Sequence, residues 1–266
     1  MSGLPMSEPG GYRRKILILY FSGAGATKKI AGLMREQLLQ ACAVDIFPID
    51  AGAGFDINDY DALIIGTPVC HAAPPRFVTD YFEGAAPPAK TLPTLIYSTM
   101  GLCSLNTNRI LAKQLRHKNI ITIMDTAYRS PASDGSLIAP RVRKFFEFEP
   151  GLERRVAKDC AAFVGLLQAG SYQGYIPRFR PGSIINAPNK LAGQLFRQGI
   201  HLHRERCRQC GRCVAGCPMG ALSRDSSGGP VFEKVWCINC YRCIHHCPVM
   251  ALSLTKRSPP GRVLTY

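Results

Sequence analysis

Eight of the twelve cysteines form two runs with the same spacing in the final quarter of the chain. In each run, three cysteines are separated by two residues and a fourth is followed directly by proline. The runs consist of Cys207, Cys210, Cys213 and Cys217, and of Cys237, Cys240, Cys243 and Cys247. The segments CRQCGRCVAGCPMGAL and CINCYRCIHHCPVMAL agree at 8 of 16 positions. They are therefore an internal repeat, and each copy is too short to bury a core of its own.

This spacing predicts two [4Fe-4S] clusters with one crossed ligand each. Three thiolates two residues apart can bind three irons of one cubane. The fourth cannot reach the same cluster, because the proline after it disfavours helical geometry and turns the chain away. It therefore ligates the other cluster, as in two-cluster bacterial ferredoxins. The predicted ligand sets are Cys207, Cys210, Cys213 and Cys247 for one cluster, and Cys237, Cys240, Cys243 and Cys217 for the other.

Structural zinc and disulfides are the alternatives to clusters. Zinc sites usually use separated cysteine pairs, not three cysteines in a row followed by Cys-Pro. Disulfides need an oxidising compartment, and the N-terminus shows no export signal. Residues 201–256 resemble bacterial-type ferredoxins, and the resemblance implies a small α+β domain that carries two [4Fe-4S] clusters.

Upstream of the cysteines, short apolar runs alternate with segments of helical periodicity. The predicted strands are Lys15–Phe21, Val44–Ile49, Ala62–Gly66, Thr94–Ser98 and Ile120–Met124. The predicted helices are Lys28–Cys42, Pro74–Gly84, Asn106–His117 and Leu152–Ala169. This alternation predicts an α/β domain with a parallel sheet that helices cover on both faces.

The first predicted strand runs straight into a turn rich in glycine and hydroxyl groups, and a helix follows. The turn consists of Ser22, Gly23, Ala24, Gly25, Ala26 and Thr27. In such an arrangement, backbone N–H groups and the helix N-terminus face an anion, so the turn predicts a phosphate site. It is not a P-loop, because no Gly-Lys-Ser/Thr follows.

The segment YFSGAGAT resembles the loop that binds the phosphate of flavin mononucleotide (FMN) in flavodoxins. Ser22, Gly23, Gly25 and Thr27 match the family pattern. Ala24 and Ala26 replace the Thr and Asn that the family often has, which leaves the main-chain donors in place. The resemblance implies a flavodoxin-like, doubly wound, five-stranded parallel sheet in the order 2-1-3-4-5. FMN is then expected at the switch point beyond strands 1 and 3.

The same resemblance implies that two further loops flank the flavin ring. Their residues are Thr67, Pro68, Val69, Cys70 and His71, and Ser98, Thr99, Met100, Gly101, Leu102 and Cys103. The family commonly stacks an aromatic residue on the ring. Here His71 is either a ring contact or a solvated loop residue, and Tyr128 is a possible substitute. Cys70 and Cys103 are either reactive thiols or small buried residues.

The formal net charge of +15 leaves a basic chain even after two clusters and a flavin phosphate are counted. This charge predicts either solubility alone or electrostatic steering of an acidic redox partner. Nucleic acid is not expected, because no nucleic-acid-binding motif is present. No apolar run is long enough to span a bilayer, and twelve cysteines without a signal peptide indicate a reducing cytoplasm.

We expect five segments along the chain. Residues 1–13 form a disordered tail, 14–170 the FMN-binding domain, and 171–200 a basic connector with a helix at Asn189–Gln198. Residues 201–258 form the cluster domain, and 259–266 a C-terminal tail. The oligomeric state stays open.

Together the two modules resemble the fused flavodoxin–ferredoxin proteins of anaerobes. The resemblance implies a low-potential protein that passes electrons between two [4Fe-4S] clusters and FMN, and on to a partner redox protein. The alternatives are an FMN-dependent reductase of a small molecule and a reductive activator of a corrinoid-type metal cofactor. A closed apolar pocket with His71 or Tyr128 placed as proton donor would favour the reductase. Electron transfer needs no acid or base, so no catalytic residue is assigned. Direct oxidation of NAD(P)H is not expected, because the sequence contains no dinucleotide-binding fingerprint.

Overall fold

The computed structural model describes residues 13–52, 54–133, 137, 147–182 and 199–254. The predicted connector helix at Asn189–Gln198 and the predicted C-terminal tail lie outside these residues, as does the predicted N-terminal tail up to residue 12. We call residues 13–182 the sheet domain and residues 199–254 the cysteine-rich domain.

Five strands form the sheet of the sheet domain, and every neighbouring pair is parallel. They are β1 (Lys15–Tyr20), β2 (Ala43–Pro48), β3 (Ala62–Pro68), β4 (Leu92–Met100) and β5 (Ile120–Arg129). The order across the sheet is β2-β1-β3-β4-β5, which confirms the predicted topology. Strands β1, β3 and β4 are buried along nearly their whole length, as expected for strands that are covered on both faces.

Four helices cover the two faces of the sheet. They are α1 (Ala26–Leu38), α2 (Arg76–Gly84), α3 (Thr107–Arg116) and α4 (Leu152–Ala169). Helices α1 and α4 pack with one face of the sheet, and α2 and α3 with the other, so each face has its own apolar core. In α1 the buried residues Ile30, Met34 and Leu38 recur every four positions, which places them on one side of the helix.

Strand β5 is longer than the sequence predicts. It continues five residues past Met124 to Arg129, because Asp125–Arg129 extend the pairing with β4. Its polar residues are satisfied there. Asp125 accepts hydrogen bonds from Tyr175 at 2.6 Å and from Asn108 at 3.1 Å. The sequence did not predict this extension, because polar residues at the end of the strand interrupt the hydrophobic pattern.

The cysteine-rich domain has a small α+β fold with two short helices, α5 (Arg212–Ala215) and α6 (Arg242–His245). Its strands pair as two antiparallel ribbons. The ribbons are β6 (His201–Leu202) with β9 (Leu252–Ser253), and β7 (Leu222–Arg224) with β8 (Pro230–Phe232). Residues 226–229 form the turn that joins β7 to β8, where the Asp225 carboxylate accepts hydrogen bonds from the Ser227 and Gly229 amides.

The sequence repeat is also a repeat of backbone conformation. Residues with positive φ occur at the same three places in both copies, thirty residues apart. The pairs are Gln209 and Asn239, Gly211 and Tyr241, and Gly220 and Met250. The two cysteine loops therefore have similar shapes, so their different side chains can be compared position by position.

Candidate cofactor and metal sites

The turn between β1 and α1 has the geometry of an anion site. Gly25 forms the helix N-cap with a φ of 102°, a conformation that a residue with a side chain rarely adopts. No side chain caps the helix, and its first turn contains no acidic residue. The Gly25 amide donates to Ser22 Oγ at 3.0 Å, which closes the turn. The N–H groups at the start of α1 are therefore available to a phosphate.

A buried tyrosine supports this turn from below. The Tyr97 hydroxyl donates to the Thr27 carbonyl oxygen at 2.9 Å, and Thr27 Oγ1 lies 2.9 Å from Thr99 Oγ1. Tyr97 can reach Thr27 only because Gly66 has no side chain, since a Cβ on Gly66 would overlap the tyrosine hydroxyl. Burial raises the pKa of Tyr97 well above its usual value, so the hydroxyl stays a neutral donor. Sequence reasoning missed this support, although the glycine at the end of ALIIG was visible.

The turn forms one wall of a cavity at the carboxyl ends of β1, β3 and β4. Eleven of the predicted flavin-loop residues line it. They are Ser22, Gly23, Ala24, Ala26, Thr27, Pro68, Val69, Cys70, Thr99, Met100 and Gly101. The remaining wall was not predicted and consists of Ser130, Pro131, Ala132, Ser133 and Cys240. The first four follow β5, whose longer extent brings its end to the cavity.

Six predicted flavin-loop residues are not in the cavity wall: Gly25, Thr67, His71, Ser98, Leu102 and Cys103. Thr67 and Ser98 are fully buried near the ends of β3 and β4. His71 is exposed, at the tip of a two-residue turn that Cys70 and Ala73 close with paired backbone hydrogen bonds. Leu102 is 78% exposed.

The structure excludes one of the alternatives considered for each of two residues in this region. Cys103 is exposed, so it is not a small buried residue of the core. Tyr128 is fully buried, and its hydroxyl donates to Asp159 Oδ2 at 2.7 Å, so its ring is not in the cavity wall. Burial and the bond to Asp159 raise the pKa of Tyr128 far above its usual range. The alternation of side chains along β5 explains this position, because it directs Tyr128 into the core beside Tyr97.

Each predicted set of four cysteines lines a single cavity of the cysteine-rich domain. The first cavity contains Cys207, Cys210, Cys213 and Cys247. The second contains Cys217, Cys237, Cys240 and Cys243. In both cavities the fourth cysteine comes from the opposite repeat. This placement fits the crossed ligand pattern that the Cys-Pro pairs predict.

Backbone amides point at the sulfur atoms of these cysteines in the same way in both repeats. The amides of Gln209 and Asn239 donate to the cysteine two positions earlier, each at 3.4 Å. The amides of Ala221 and Ala251 donate to the cysteine four positions earlier, each at 3.2 Å. Hydrogen bonds to ligating sulfurs are one means by which a protein sets the reduction potential of a cluster.

The donor sets fit iron–sulfur clusters, because four cysteines and, among the described residues, no His, Asp or Glu side chain line each of the two cavities. Burial raises the pKa of the Cys240 thiol to about 11 and that of Cys243 well above its usual value. A bound cation favours the thiolate form of both groups, so loading the site releases protons.

The second cysteine cavity lies against the cavity at the phosphate turn. Cys240 lines both. Its carbonyl oxygen occupies the space where a Cβ on Gly23 would be, and that Cβ would lie 3.3 Å from the Cys240 Cβ. Ile238 and Cys240 also pack against the core that α2 and α3 form.

Arg242 fastens this contact between the domains. One guanidinium nitrogen is ion-paired with Asp50, and another donates to the Ser22 carbonyl oxygen at 2.7 Å. The guanidinium carbon also lies 5.2 Å from the centre of the Phe21 ring, within the range of a cation–π contact. On the other side of the loop, His245 Nε2 lies 3.2 Å from the Ser133 carbonyl oxygen.

Comparison with known families agrees with this geometry. A family model described as a flavodoxin domain matches residues 17–173, which is more than half of the chain. The chain belongs to the flavodoxin family. A second family model, described as a 4Fe-4S dicluster domain, matches residues 206–252. The chain is thus a fused flavodoxin–ferredoxin protein, in which the sheet domain is the flavodoxin domain and the cysteine-rich domain is the ferredoxin domain.

Solved structures similar to the chain include several flavodoxins. A flavodoxin from the domain Archaea is 9% identical, with a TM-score of 0.44, and the match covers 58% of this chain and 99% of that one. The flavodoxin of Megasphaera elsdenii is 17% identical with a TM-score of 0.40, over 54% of this chain and 98% of that one. A flavodoxin mutant of Fusobacterium nucleatum, bound to flavin mononucleotide, is 15% identical with a TM-score of 0.40, over 62% and 100%. No curated protein matches the chain.

The two domain families define the general role of the chain. A flavodoxin domain implies FMN, and a 4Fe-4S dicluster domain implies iron–sulfur clusters. Their combination supports a role in redox electron transfer. None of the helices in the described part of the chain is both long and apolar enough to cross a lipid bilayer.

Proposed function

We propose that this chain is an electron carrier in which two [4Fe-4S] clusters and FMN exchange electrons and pass them on to a partner redox protein. The observation that supports it most directly is the position of Cys240, which lines both the second cysteine cavity and the cavity at the phosphate turn. A ligand of one redox centre is thereby part of the wall of the other. The proposal includes a reducing cytoplasmic setting, which keeps the cysteines available as ligands.

The residues divide into three binding sets. FMN is held by the phosphate turn at residues 22–27 and by the loops at 67–71, 98–103 and 130–133. One cluster is held by Cys207, Cys210, Cys213 and Cys247, and the other by Cys217, Cys237, Cys240 and Cys243. When bound, a cluster exchanges one electron at a time and FMN exchanges one or two. The residues of this chain bind these groups, orient them and keep them adjacent.

The composition of the cavity wall favours a carrier over a reductase of a small molecule. No His, Asp, Glu, Lys or Tyr side chain is among the described residues that line the cavity. His71 lies at an exposed turn tip and Tyr128 in the core, so neither is placed to give a proton to a substrate. A reductase that used His71 or Tyr128 as its proton donor would need that side chain within hydrogen-bond reach of the substrate. An electron carrier needs none.

Anaerobic reconstitution tests the proposal. The purified chain is loaded with iron, sulfide and FMN, and we expect about eight iron atoms and eight sulfides per chain, as two cubanes require. Substoichiometric reduction followed by rapid absorption measurements then reports exchange between clusters and flavin. The exchange rate should not change with protein concentration, because both partners are in one molecule. A rate proportional to protein concentration, or about four irons per chain, would contradict the proposal.

A further inference from the structure

The two cysteine loops share a backbone shape but differ in their surroundings. In the second repeat, the loop of residues 238–242 is docked on the flavodoxin domain, and Cys240 is half-buried. In the first repeat, Cys210 occupies the equivalent position and is exposed. The structure therefore contains one loop that is seated on a redox partner domain and one that faces outward.

The seated loop shows which contacts such a loop makes. Arg242 pairs with the carboxylate of Asp50, bonds to a backbone carbonyl and covers the Phe21 ring. Its equivalent in the first repeat is Arg212, thirty residues earlier. Arg212 is exposed and has no ion-pair partner within the residues that the structure describes. A surface that presents a carboxylate beside its own redox centre would complete the equivalent contact.

The outward loop is also far more basic than the seated one. Five exposed arginines surround it: Arg204, Arg206, Arg208, Arg212 and Arg224. Arg208 and Arg212 line the first cysteine cavity itself. Arg224 lies over Gly211 and donates to the Gln209 carbonyl oxygen at 3.4 Å. Of the two carboxylates nearby, Asp225 is paired with Arg204 at 2.9 Å and Glu205 lies 3.6 Å from His203.

The second repeat lacks three of these five charges and keeps the other two as Lys234 and Arg242. Trp236 and Ile238 occupy the places of Arg206 and Arg208. Ile238 packs against the flavodoxin core, where an arginine would lose its water without gaining a partner. The two loops are thus suited to different neighbours, one apolar and permanent and the other acidic and exchangeable.

We propose that the face formed by Cys210, Arg206, Arg208, Arg212 and Arg224, which we call the arginine face, docks an acidic one-electron carrier protein. This proposal rests on the proposed function and adds the site at which electrons enter or leave. When electrons enter at this face, the reduced carrier loses one electron and the chain gains it. No bond forms or breaks and no proton is transferred. The first cluster is then the external port, and the second cluster is the internal link to FMN.

A second copy of this chain does not fit the arginine face in the way that the flavodoxin domain fits the seated loop. The carboxylate that meets Arg242 is Asp50, and in each copy its own Arg242 already occupies that group. An external protein with unpaired carboxylates avoids this competition. Electrostatic steering by the arginines would raise its association rate and would weaken with salt.

The test measures binding of the reconstituted chain to a small acidic bacterial ferredoxin by isothermal titration calorimetry under anaerobic conditions. The variant Arg208→Glu/Arg212→Glu should raise the Kd by about tenfold or more, because both changes place like charges in the interface. The matched control is Arg154→Glu/Lys158→Glu, which reverses two exposed charges on α4 of the flavodoxin domain, and it should leave the Kd within about twofold. Raising the salt concentration should weaken binding of the wild type more than that of the double variant.

Separate measurements keep this proposal distinct from the proposed function. Iron, sulfide and FMN contents, and reduction by dithionite, which needs no docking, report whether the centres are present. A double variant with full cofactor content but an unchanged Kd would overturn the arginine face alone. A wild-type chain that binds the acidic ferredoxin no better than it binds basic cytochrome c would do the same. Tighter binding to a random DNA oligonucleotide than to the ferredoxin would assign the arginines to nucleic acid instead.

Discussion

The carbonyl oxygen of Cys240 lies against Gly23, in the space that the side chain of any other residue would occupy. One residue belongs to the ferredoxin domain and the other to the phosphate turn of the flavodoxin domain. Their contact depends on the absence of a side chain. Gly23 is not among the residues with positive φ, so its role here is close approach and not an unusual backbone conformation.

Gly23→Ala should push the two domains apart. The added methyl group would meet backbone atoms of Cys240, which cannot rotate away as a flexible side chain can. Overpacking of this kind typically costs about 1–3 kcal/mol. We expect slower exchange between clusters and flavin in the rapid absorption experiment, together with a lower midpoint in thermal unfolding of the loaded chain.

Gly32→Ala is the matched control for this change. Gly32 lies within α1, and a Cβ there would meet no atom within 4 Å. Replacing a glycine inside a helix with alanine stabilises by about 0.5–1 kcal/mol. Equal exchange rates in Gly23→Ala and Gly32→Ala would show that the contact with Cys240 does not set the separation of the centres.

Arg242→Gln should weaken the docking of the domains and destabilise the chain. The side chains of Arg242 and Asp50 are only 15% and 17% exposed, and Asp50 Oδ1 is buried without a hydrogen-bond partner among the described residues. Removing Arg242 therefore leaves a largely buried carboxylate without compensation, at a cost of about 2 kcal/mol or more. Urea unfolding of the loaded protein measures this loss.

An exposed ion pair provides the comparison for Arg242. In Arg76→Gln the lost partner is Asp80, and the two side chains are 70% and 54% exposed. Exposed pairs typically contribute about 0.2–1 kcal/mol, so this variant should unfold at nearly the wild-type urea concentration. A similar shift in both variants would mean that the contact between Arg242 and Asp50 adds little to stability.

Cys217→Ser and Cys247→Ser should damage different clusters. Each variant should affect the cluster whose other three ligands belong to the opposite repeat. Cys217 lies among the first-repeat cysteines in sequence but lines the second cavity, and Cys247 lines the first. Loss of a thiolate should lower the iron content by up to half or change the EPR signal of one cluster. The effect of Cys217→Ser should extend to electron exchange with FMN. If Cys217→Ser disturbed only the cluster of Cys207, the ligands would not be crossed.

Tyr97→Phe should weaken the phosphate turn without creating a clash. The variant loses the hydroxyl that donates to the Thr27 carbonyl, a buried hydrogen bond. Losing a hydrogen bond of this kind costs about 0.5–1.5 kcal/mol. We expect lower thermal stability and weaker FMN binding in a fluorescence titration. Tyr175→Phe loses a tyrosine hydrogen bond to Asp125 outside the cavity wall, and its FMN affinity should stay at the wild-type value.

Sequence patterns predicted the five strands because these are nearly continuous apolar runs with distinct turns between them. The order of the strands came from the resemblance of the YFSGAGAT segment to flavodoxins, and the sheet confirms it. They also predicted which cysteines share a cavity, because the Cys-Pro pairs restrict the direction of the chain locally. Helix α4 begins and ends at the predicted residues, Leu152 and Ala169. Each of these inferences depends on residues close together in sequence.

The contact between the domains could not be predicted in this way. Asp50, Gly23 and Arg242 have ordinary local surroundings, and their relationship depends on how two modules separated by many residues meet. The wall at Ser130–Ser133 was missed for a related reason. It depends on the length of β5, whose polar residues are stabilised by partners such as Tyr175 that lie far away in sequence.

Because the two modules belong to one chain, the small contact around Arg242 needs less binding free energy than a contact between separate proteins. Two modules in one chain meet at an effective concentration that, for short flexible connections, is on the order of millimolar. An interface too weak to hold separate proteins together at cellular concentrations can then be occupied most of the time. The contact around Arg242 can therefore keep the ferredoxin module on the flavodoxin surface, although a contact of that size would not hold two separate proteins together.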